Sequence, residues 1–129
     1  MGARILVIED NAANRELVRY LLAHHGHQVL TARNGVEGLE QIRRQRPDLV
    51  VCDLQMPLLD GYRVLEQLRA DPATSDLVVV AVTAFSMPND EQKVMCSGFN
   101  GYLSKPIEPE SFVGQIEAYL PAALRASRL

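Results

Sequence analysis

Between Ile5 and Leu120 the chain alternates five times between a short apolar run and a longer stretch whose apolar residues recur at helical spacing. Few folds accept that order. Strands separated by helices cannot pair as tight hairpins, so they lie parallel, with the crossover helices covering the sheet. The apolar runs read as strands at Ile5 to Ile8, His27 to Ala32, Leu49 to Cys52, Leu77 to Val82 and Gly101 to Ser104. The first, third and fourth are almost wholly apolar and belong in the middle of a sheet, whereas the second and fifth mix in polar residues, as edges do. That pattern matches the order 2-1-3-4-5, an open, doubly wound α/β sheet in a three-layer α/β/α arrangement. Its winding reverses between the first and third strands, and ligands of such sheets bind there, outside the carboxyl ends of the strands.

The helical stretches carry their own boundary signals. Leu17, Val18, Leu21 and Leu22 share one face of the first, which ends at Gly26, a residue suited to a left-handed cap. Asn34 with Glu37 three positions on resembles a capping box, opening a second helix with Val36, Leu39 and Ile42 inward and Pro47 as its stop. Arg43, Arg44 and Arg46 crowd its last turn, where a solvated cationic face suits the helix dipole. Asp60 caps a third helix carrying Val64, Leu65 and Leu68, which ends before Asp71-Pro72. The stretch from Ser86 to Ser97 is the weakest, with only Met87, Val94 and Met95 to turn inward, so it is the helix most easily shifted. Glu108 and Pro109 open the last, with Phe112, Val113, Ile116 and Leu120 on one face, and Pro121 ends or kinks it.

A chain of 129 residues with 47% hydrophobic content supports one complete core, taken as a single domain over 1–129 with its core at 4–120 and a short tail at 121–129. A net charge of -3 and scattered Lys and Arg give no electrostatic footprint for nucleic acid, so protein partners are expected. No apolar run approaches a membrane span and no leader precedes the first strand, and Leu6 stands where a myristoylation signal needs Ser or Thr. Cys52 and Cys96 form no CxxC pair. Cys52 reads as a small core filler, and a reducing cytoplasm fits both.

The stretch from Pro47 to Gly61 concentrates the chemistry. Its strand delivers one carboxylate, Asp53, to the carboxyl end, and Pro57 keeps the following loop from becoming helix. An acid placed after four apolar residues is costly to bury alone, so it should face solvent, a cation or both. The other strands supply company at the same edge: Glu9 and Asp10 from the first, Thr83 from the fourth, Lys105 from the fifth. Two carboxylates 4 Å apart repel by roughly 4 kcal/mol at an effective dielectric of 20. A divalent cation and Lys105 relieve that repulsion, and all-oxygen ligation points to Mg²⁺, with Mn²⁺ as a substitute. Taken singly, an acid at a strand end is usually a cap and Lys-Pro a turn; the convergence of five polar groups makes those readings the minority.

The set Glu9-Asp10, Asp53, Met56-Pro57, Asp60-Gly61, Thr83-Ala84 and Tyr102 before Lys105-Pro106 resembles the receiver domain of two-component response regulators, over Arg4 to about Leu120. The resemblance implies a flavodoxin-like (βα)5 fold and a phosphoacceptor role for Asp53, the phosphoryl group coming from a phosphohistidine on a histidine kinase or histidine phosphotransfer protein. It implies Mg²⁺ on Asp10, Asp53 and the carbonyl of Gln55, with Glu9 helping through water. Lys105 and Thr83 would hold the phosphoryl oxygens, and the small Ala84 would leave the group accessible. Thr83 and Tyr102 would form the switch that reshapes the face of helix 4, strand 5 and helix 5 for a downstream protein target, with a phosphorylation-dependent dimer left open. Gln55 and Phe85 occupy positions that tune phosphoryl lifetime, and Phe85 cannot position a hydrolytic water, which implies slow self-dephosphorylation. Single-domain cell-cycle regulators and receivers of hybrid kinases are the nearest kinds. On this reading the chain is a signalling phosphoprotein rather than an enzyme.

Rival readings fare worse. A flavin carrier of the same fold needs hydroxyls and glycines in the first loop, where Glu9-Asp10-Asn11 would repel phosphate; the GxxxxGK[ST] of a nucleotide enzyme is absent. A haloacid-dehalogenase-type hydrolase would carry a second Asp at Gln55. A receiver-like binding module that no longer takes phosphate is the stronger rival, and retention of all five site groups argues against it. His24, His25 and His27 are given no function, since their spacing suits no helical metal pair and the helix dipole accounts for them. Cys96 has only Lys93 nearby to activate its thiolate.

Overall fold

A computed structural model of the chain describes residues 2–84 and 88–121. Five strands, β1 (Arg4–Ile8), β2 (Gln28–Ala32), β3 (Leu49–Asp53), β4 (Val78–Thr83) and β5 (Gly101–Ser104), form one parallel sheet in the order 2-1-3-4-5. Between and after them run α1 (Ala12–His24), α2 (Gly35–Gln45), α3 (Gly61–Ala70), α4 (Pro88–Cys96) and α5 (Pro109–Glu117). The mixed strands β2 and β5 lie at the edges, because only there can polar residues face water on a sheet otherwise covered on both sides.

Strand alternation sends side chains to two separate cores. Leu6, Ile8, Val50, Cys52, Val79 and Ala81 meet Leu39 and Ile42 of α2, Val64, Leu65 and Leu68 of α3, and Val94 of α4. On the other face Ile5, Val7, Leu49, Val51, Val80 and Val82 meet Val18 and Leu22 of α1 and Phe112, Val113 and Ile116 of α5. The three-layer arrangement follows.

The caps fall where the sequence places them. Asn34 accepts from Glu37 N–H at 2.9 Å and Asp60 from Arg63 N–H at 2.9 Å, each satisfying a donor that the first turn leaves without a partner. Glu37 completes its box one residue early, its Oε1 accepting from Arg33 N–H at 3.3 Å rather than from Asn34. Gly26 does take a left-handed φ of 90° after α1.

Several inward assignments are corrected. Val36 is 49% exposed and Met95 45% exposed. The buried stripe of α2 runs through Gly35, Gly38, Leu39 and Ile42 and that of α4 includes Val94, so Val36 and Met95, each next in sequence to a buried residue, are turned about 100° away from it. Met87, the start of the Ser86 to Ser97 stretch and the tail from Ala122 to Leu129 lie outside the described residues. Among the described side chains of α4, Val94 is the buried one; Lys93 adds a cation–π contact, 4.9 Å from the ring centroid of Tyr62 on α3.

His27 also differs from expectation. It is not a helix-end cation but a buried residue just before β2, whose Nδ1 accepts from Ala3 N–H at 2.9 Å. That bond fixes the tautomer, so Nε2 carries the proton and donates to the buried Glu117 Oε2 of α5 at 2.9 Å. The pair ties the amino edge of the sheet to the end of α5.

Candidate functional site

Register sets the site before any side chain is considered. Ile8 is level with Cys52 and Cys52 with Ala81, so the next residues, Glu9 and Asp53, leave β1 and β3 at the same height beside Val82. Thr83 stands one step further on, paired with Ser104, and Lys105 N–H donates to the Thr83 carbonyl at 2.8 Å. Glu9, Asp53, Thr83 and Lys105 thus share one edge because four parallel strands end there.

Two of the three carboxylates are largely withdrawn from water, Glu9 keeping 5% and Asp53 6% of its surface exposed, whereas Asp10 is exposed. Asp53 is therefore more buried than a loop acid, being the last residue of β3 rather than the first beyond it. Lys105 supplies the cation such burial demands, its Nζ lying 2.7 Å from Glu9 Oε1 and 3.2 Å from Asp53 Oδ2. Backbone donors take the remaining oxygens. Asn11 N–H donates to Glu9 Oε2 at 3.2 Å and Gln55 N–H to Asp53 Oδ1 at 3.3 Å. Arg15 Nη1 donates to the Glu9 carbonyl at 3.0 Å, steadying the turn from β1 into α1.

These surroundings move protons. Burial, with Asp53 alongside, pushes the Glu9 carboxyl above its usual range against the opposing pull of Lys105 and Asn11. For Lys105 burial acts to lower the ammonium pKa, but the bond to Glu9 and the charges of Asp53 and Glu9 outweigh it and hold the group above its ordinary value. Burial pushes the Cys52 thiol up as well, with Asp53 and Glu9 adding to the shift, so it remains a protonated filler.

One carboxylate oxygen from each of Glu9, Asp10 and Asp53 lies within 4.8 Å of the others. Hard oxygen donors, partly buried and open to a cleft, suit a small divalent cation that keeps some of its water. The residues fit the Mg²⁺ or Mn²⁺ that the sequence suggests. The cleft itself has a volume of about 700 Å³, and Asp10, Gln55, Met56, Pro57, Thr83 and Lys93 are among the residues that line it.

Of the residues singled out from the sequence, Glu9, Asp53 and Lys105 are in direct contact, and Asp10, Gln55 and Thr83 border the same cleft. Ala84 is exposed beyond β4. Tyr102 is half-buried against the α2–α3–α4 core, and burial together with Glu91 and Asp90 of α4 pushes its phenol up. Phe85 lies outside the described residues. Sequence reasoning missed the wall that Tyr62, Asp90 and Lys93 add to the cleft. The periodicity of α4 was too weak to say which of its sides would face α3.

The response regulator receiver domain matches the chain over residues 5–117. The chain belongs to that family. Among receiver proteins it is similar to the polar-differentiation response regulator DivK of Brucella anthropi, at 38% identity over 120 residues that cover 93% of this chain and 98% of that one. The fold of this receiver superposes on the chemotaxis response regulator CheY4 of Vibrio cholerae with a TM-score of 0.87 at 26% identity, covering 93% of this chain and all of the other. It also resembles the receiver domain of the sensor histidine kinase PA1611 of Pseudomonas aeruginosa, which holds a magnesium ion in its active-site cleft. That match has a TM-score of 0.83 at 28% identity and covers 92% of this chain and 98% of the other. No helix among the described residues is long and apolar enough to cross a membrane.

Proposed function

We propose that this receiver is a phosphoacceptor that takes a phosphoryl group from a phosphohistidine onto Asp53. The observation that carries the reading is the trio of carboxylates whose oxygens lie within 4.8 Å of one another, with Lys105 bridging two of them. An oxygen of Asp53 attacks phosphorus, the bond from phosphorus to the donor's ring nitrogen breaks, and that nitrogen keeps the electron pair. The carboxylate must be anionic and in line with the donor, and positive charge must already stand where charge builds. Lys105 is held protonated by its two acids and so supplies that charge, pairing with the phosphoryl oxygens. Glu9, Asp10, Asp53 and the carbonyl of Gln55 are assigned to Mg²⁺, or Mn²⁺ in its place, Glu9 acting through water. Bound there, the cation offsets charge on the transferring group.

The Thr83 hydroxyl donates to a phosphoryl oxygen, and Ala84 leaves the group accessible. As Thr83 is drawn toward the phosphoryl group, Tyr102 turns into the space released, and the face formed by α4, β5 and α5 is reshaped for a protein target. The unit 4–120 would then work as a cytoplasmic signalling module, with a histidine kinase or phosphotransfer protein upstream and no direct contact with nucleic acid. Besides accepting the group, the chain would assist its own phosphorylation and dephosphorylation. Phe85 offers no polar atom to hold an attacking water, so self-dephosphorylation is slow. Phe85→Asn is expected to shorten the aspartyl-phosphate half-life severalfold, followed by release of inorganic phosphate, and an unchanged half-life would remove Phe85 from the account.

The reading is tested by transfer from radiolabelled, autophosphorylated histidine kinases and phosphotransfer proteins. Label is expected to move to the parent chain and not to Asp53→Asn. Label retained equally by the variant would assign the acceptor elsewhere.

A further inference from the structure

Leu58 is 84% exposed, the most exposed of the large apolar side chains among the described residues, the others being Tyr20, Val36 and Met95. It is also one of two non-glycine residues there with a positive φ, at 70°. Leu59 N–H donates to the Pro57 carbonyl at 2.8 Å, which closes a γ-turn with Leu58 at its centre. The form with positive central φ is the rare and strained one, and a Cβ-bearing, branched side chain makes it more so. Glycine or asparagine would relieve it.

The turn is fixed from both flanks. Pro57 has its φ locked by its ring. Leu59 packs against the α2–α3–α4 core, and Gly61 N–H donates to the Leu54 carbonyl at 3.0 Å. Leu58 is thus aimed outward by its neighbours, at a conformational cost, while burying almost nothing. A strained residue that contributes no packing points to a use outside the folded chain.

Its position says which use. Met56 and Pro57 line the cleft with Asp10, Gln55 and Thr83, so Leu58 stands on the rim a donor crosses to reach Asp53. Val36, 49% exposed, is next in sequence to Gly35, whose backbone packs so tightly on Leu59 that an added Cβ would lie 2.6 Å from the Leu59 carbonyl oxygen. A stable protein interface covers about 800 Å² on each partner, far more than the mouth of such a cleft. Any protein that brings a phosphohistidine to Asp53 covers this rim, whereas a small phosphodonor passes it by.

We propose that Leu58 is the apolar anchor on which a protein phosphodonor docks, seating in an apolar recess beside the donor's phosphohistidine. It is a specificity residue for the protein donor and takes no part in the chemistry. The inference rests on the reading of Asp53 as phosphoacceptor.

The test compares the parent chain with Leu58→Asn, Leu58→Gly and Leu58→Met in three measurements. These are thermal melting, phosphorylation by acetyl phosphate with Mg²⁺, and transfer from whichever of a panel of phosphorylated histidine kinases and phosphotransfer proteins labels the parent fastest. Leu58→Asn and Leu58→Gly are expected to melt no lower than the parent and to react with acetyl phosphate at its rate. Their transfer from the protein donor is expected to lose about tenfold or more in kcat/KM, through KM. Leu58→Met, close to Leu in volume, is expected to stay within about threefold of the parent. Equal transfer by Leu58→Asn would overturn the proposal, as would a parallel loss with acetyl phosphate. A parent chain that reacts with acetyl phosphate but with no protein donor would overturn it too. A parent that reacts with neither would instead bring down the reading of Asp53 on which it rests.

Discussion

At Lys105 one ammonium serves two carboxylates, Glu9 and Asp53, and its side chain keeps 17% exposure against 6% and 7% for theirs. Removing it leaves two buried acids facing each other, so Lys105→Met is expected to lose about 3 kcal/mol at neutral pH without metal. Urea denaturation in EDTA checks this, and a variant as stable as the parent would contradict the charge balance described. Glu9 responds in the opposite sense. Its carboxyl lies above the ordinary 4.5, so between 4.5 and that raised value the folded chain holds a proton the unfolded chain has released. Stability therefore falls as pH rises through that window, and the loss remains above it. Glu9→Gln, which cannot titrate, is expected to melt a few degrees above the parent at neutral pH in EDTA and to lose that advantage below 4.5. Melting curves across pH decide it, and an advantage that grows on acidification would contradict it. The acids, Thr83 and Lys105 were legible because each ends or follows an apolar run. Nothing in their order along the chain indicated that Lys105 would reach Glu9 more closely than Asp53.

The elements owe their placement to contacts that vary in visibility. Gly61 opens α3 where the chain turns back on β3, so close that an added Cβ would stand 2.6 Å from the Asp53 carbonyl oxygen and 2.9 Å from Leu54 Cα. Both are backbone atoms and neither can swing aside. Gly61→Ala is therefore expected to cost about 1–3 kcal/mol and to slow phosphorylation, because the shift falls on the residue that carries the carboxylate. Denaturation and the acetyl phosphate reaction, measured together, test this; a variant with parental values in both would show that the loop yields freely. The capping residues Asn34 and Asp60 were readable because a cap is a local event between a side chain and a backbone N–H three residues away. Val36 and Met95 were misread because an apolar residue on a short helix is consistent with more than one stripe, and packing against the sheet selects which is buried. For α4 the selection also involves Tyr62, whose ring meets Lys93 and lies edge-on to Phe99 at 5.9 Å.

At the level of the whole molecule, composition marked β2 and β5 as the edges of the sheet, a pattern that matched the order 2-1-3-4-5, since only edge strands tolerate polar residues. The hydrogen bond between His27 and Glu117 did not, for it joins residues 90 positions apart whose neighbours give no hint of each other. The sheet gathers its chemistry at the carboxyl edge and ties its other end with that buried pair, so the site stands on a frame closed at both ends. The central claim is that this edge makes Asp53 a metal-assisted phosphoacceptor, and intact mass after incubation with acetyl phosphate tests it most directly. With Mg²⁺ the parent chain is expected to gain the mass of one phosphoryl group; without the metal, or as Asp53→Asn, it is expected to gain none. A folded parent chain that gains no mass with Mg²⁺, or a gain that survives Asp53→Asn, would contradict the account.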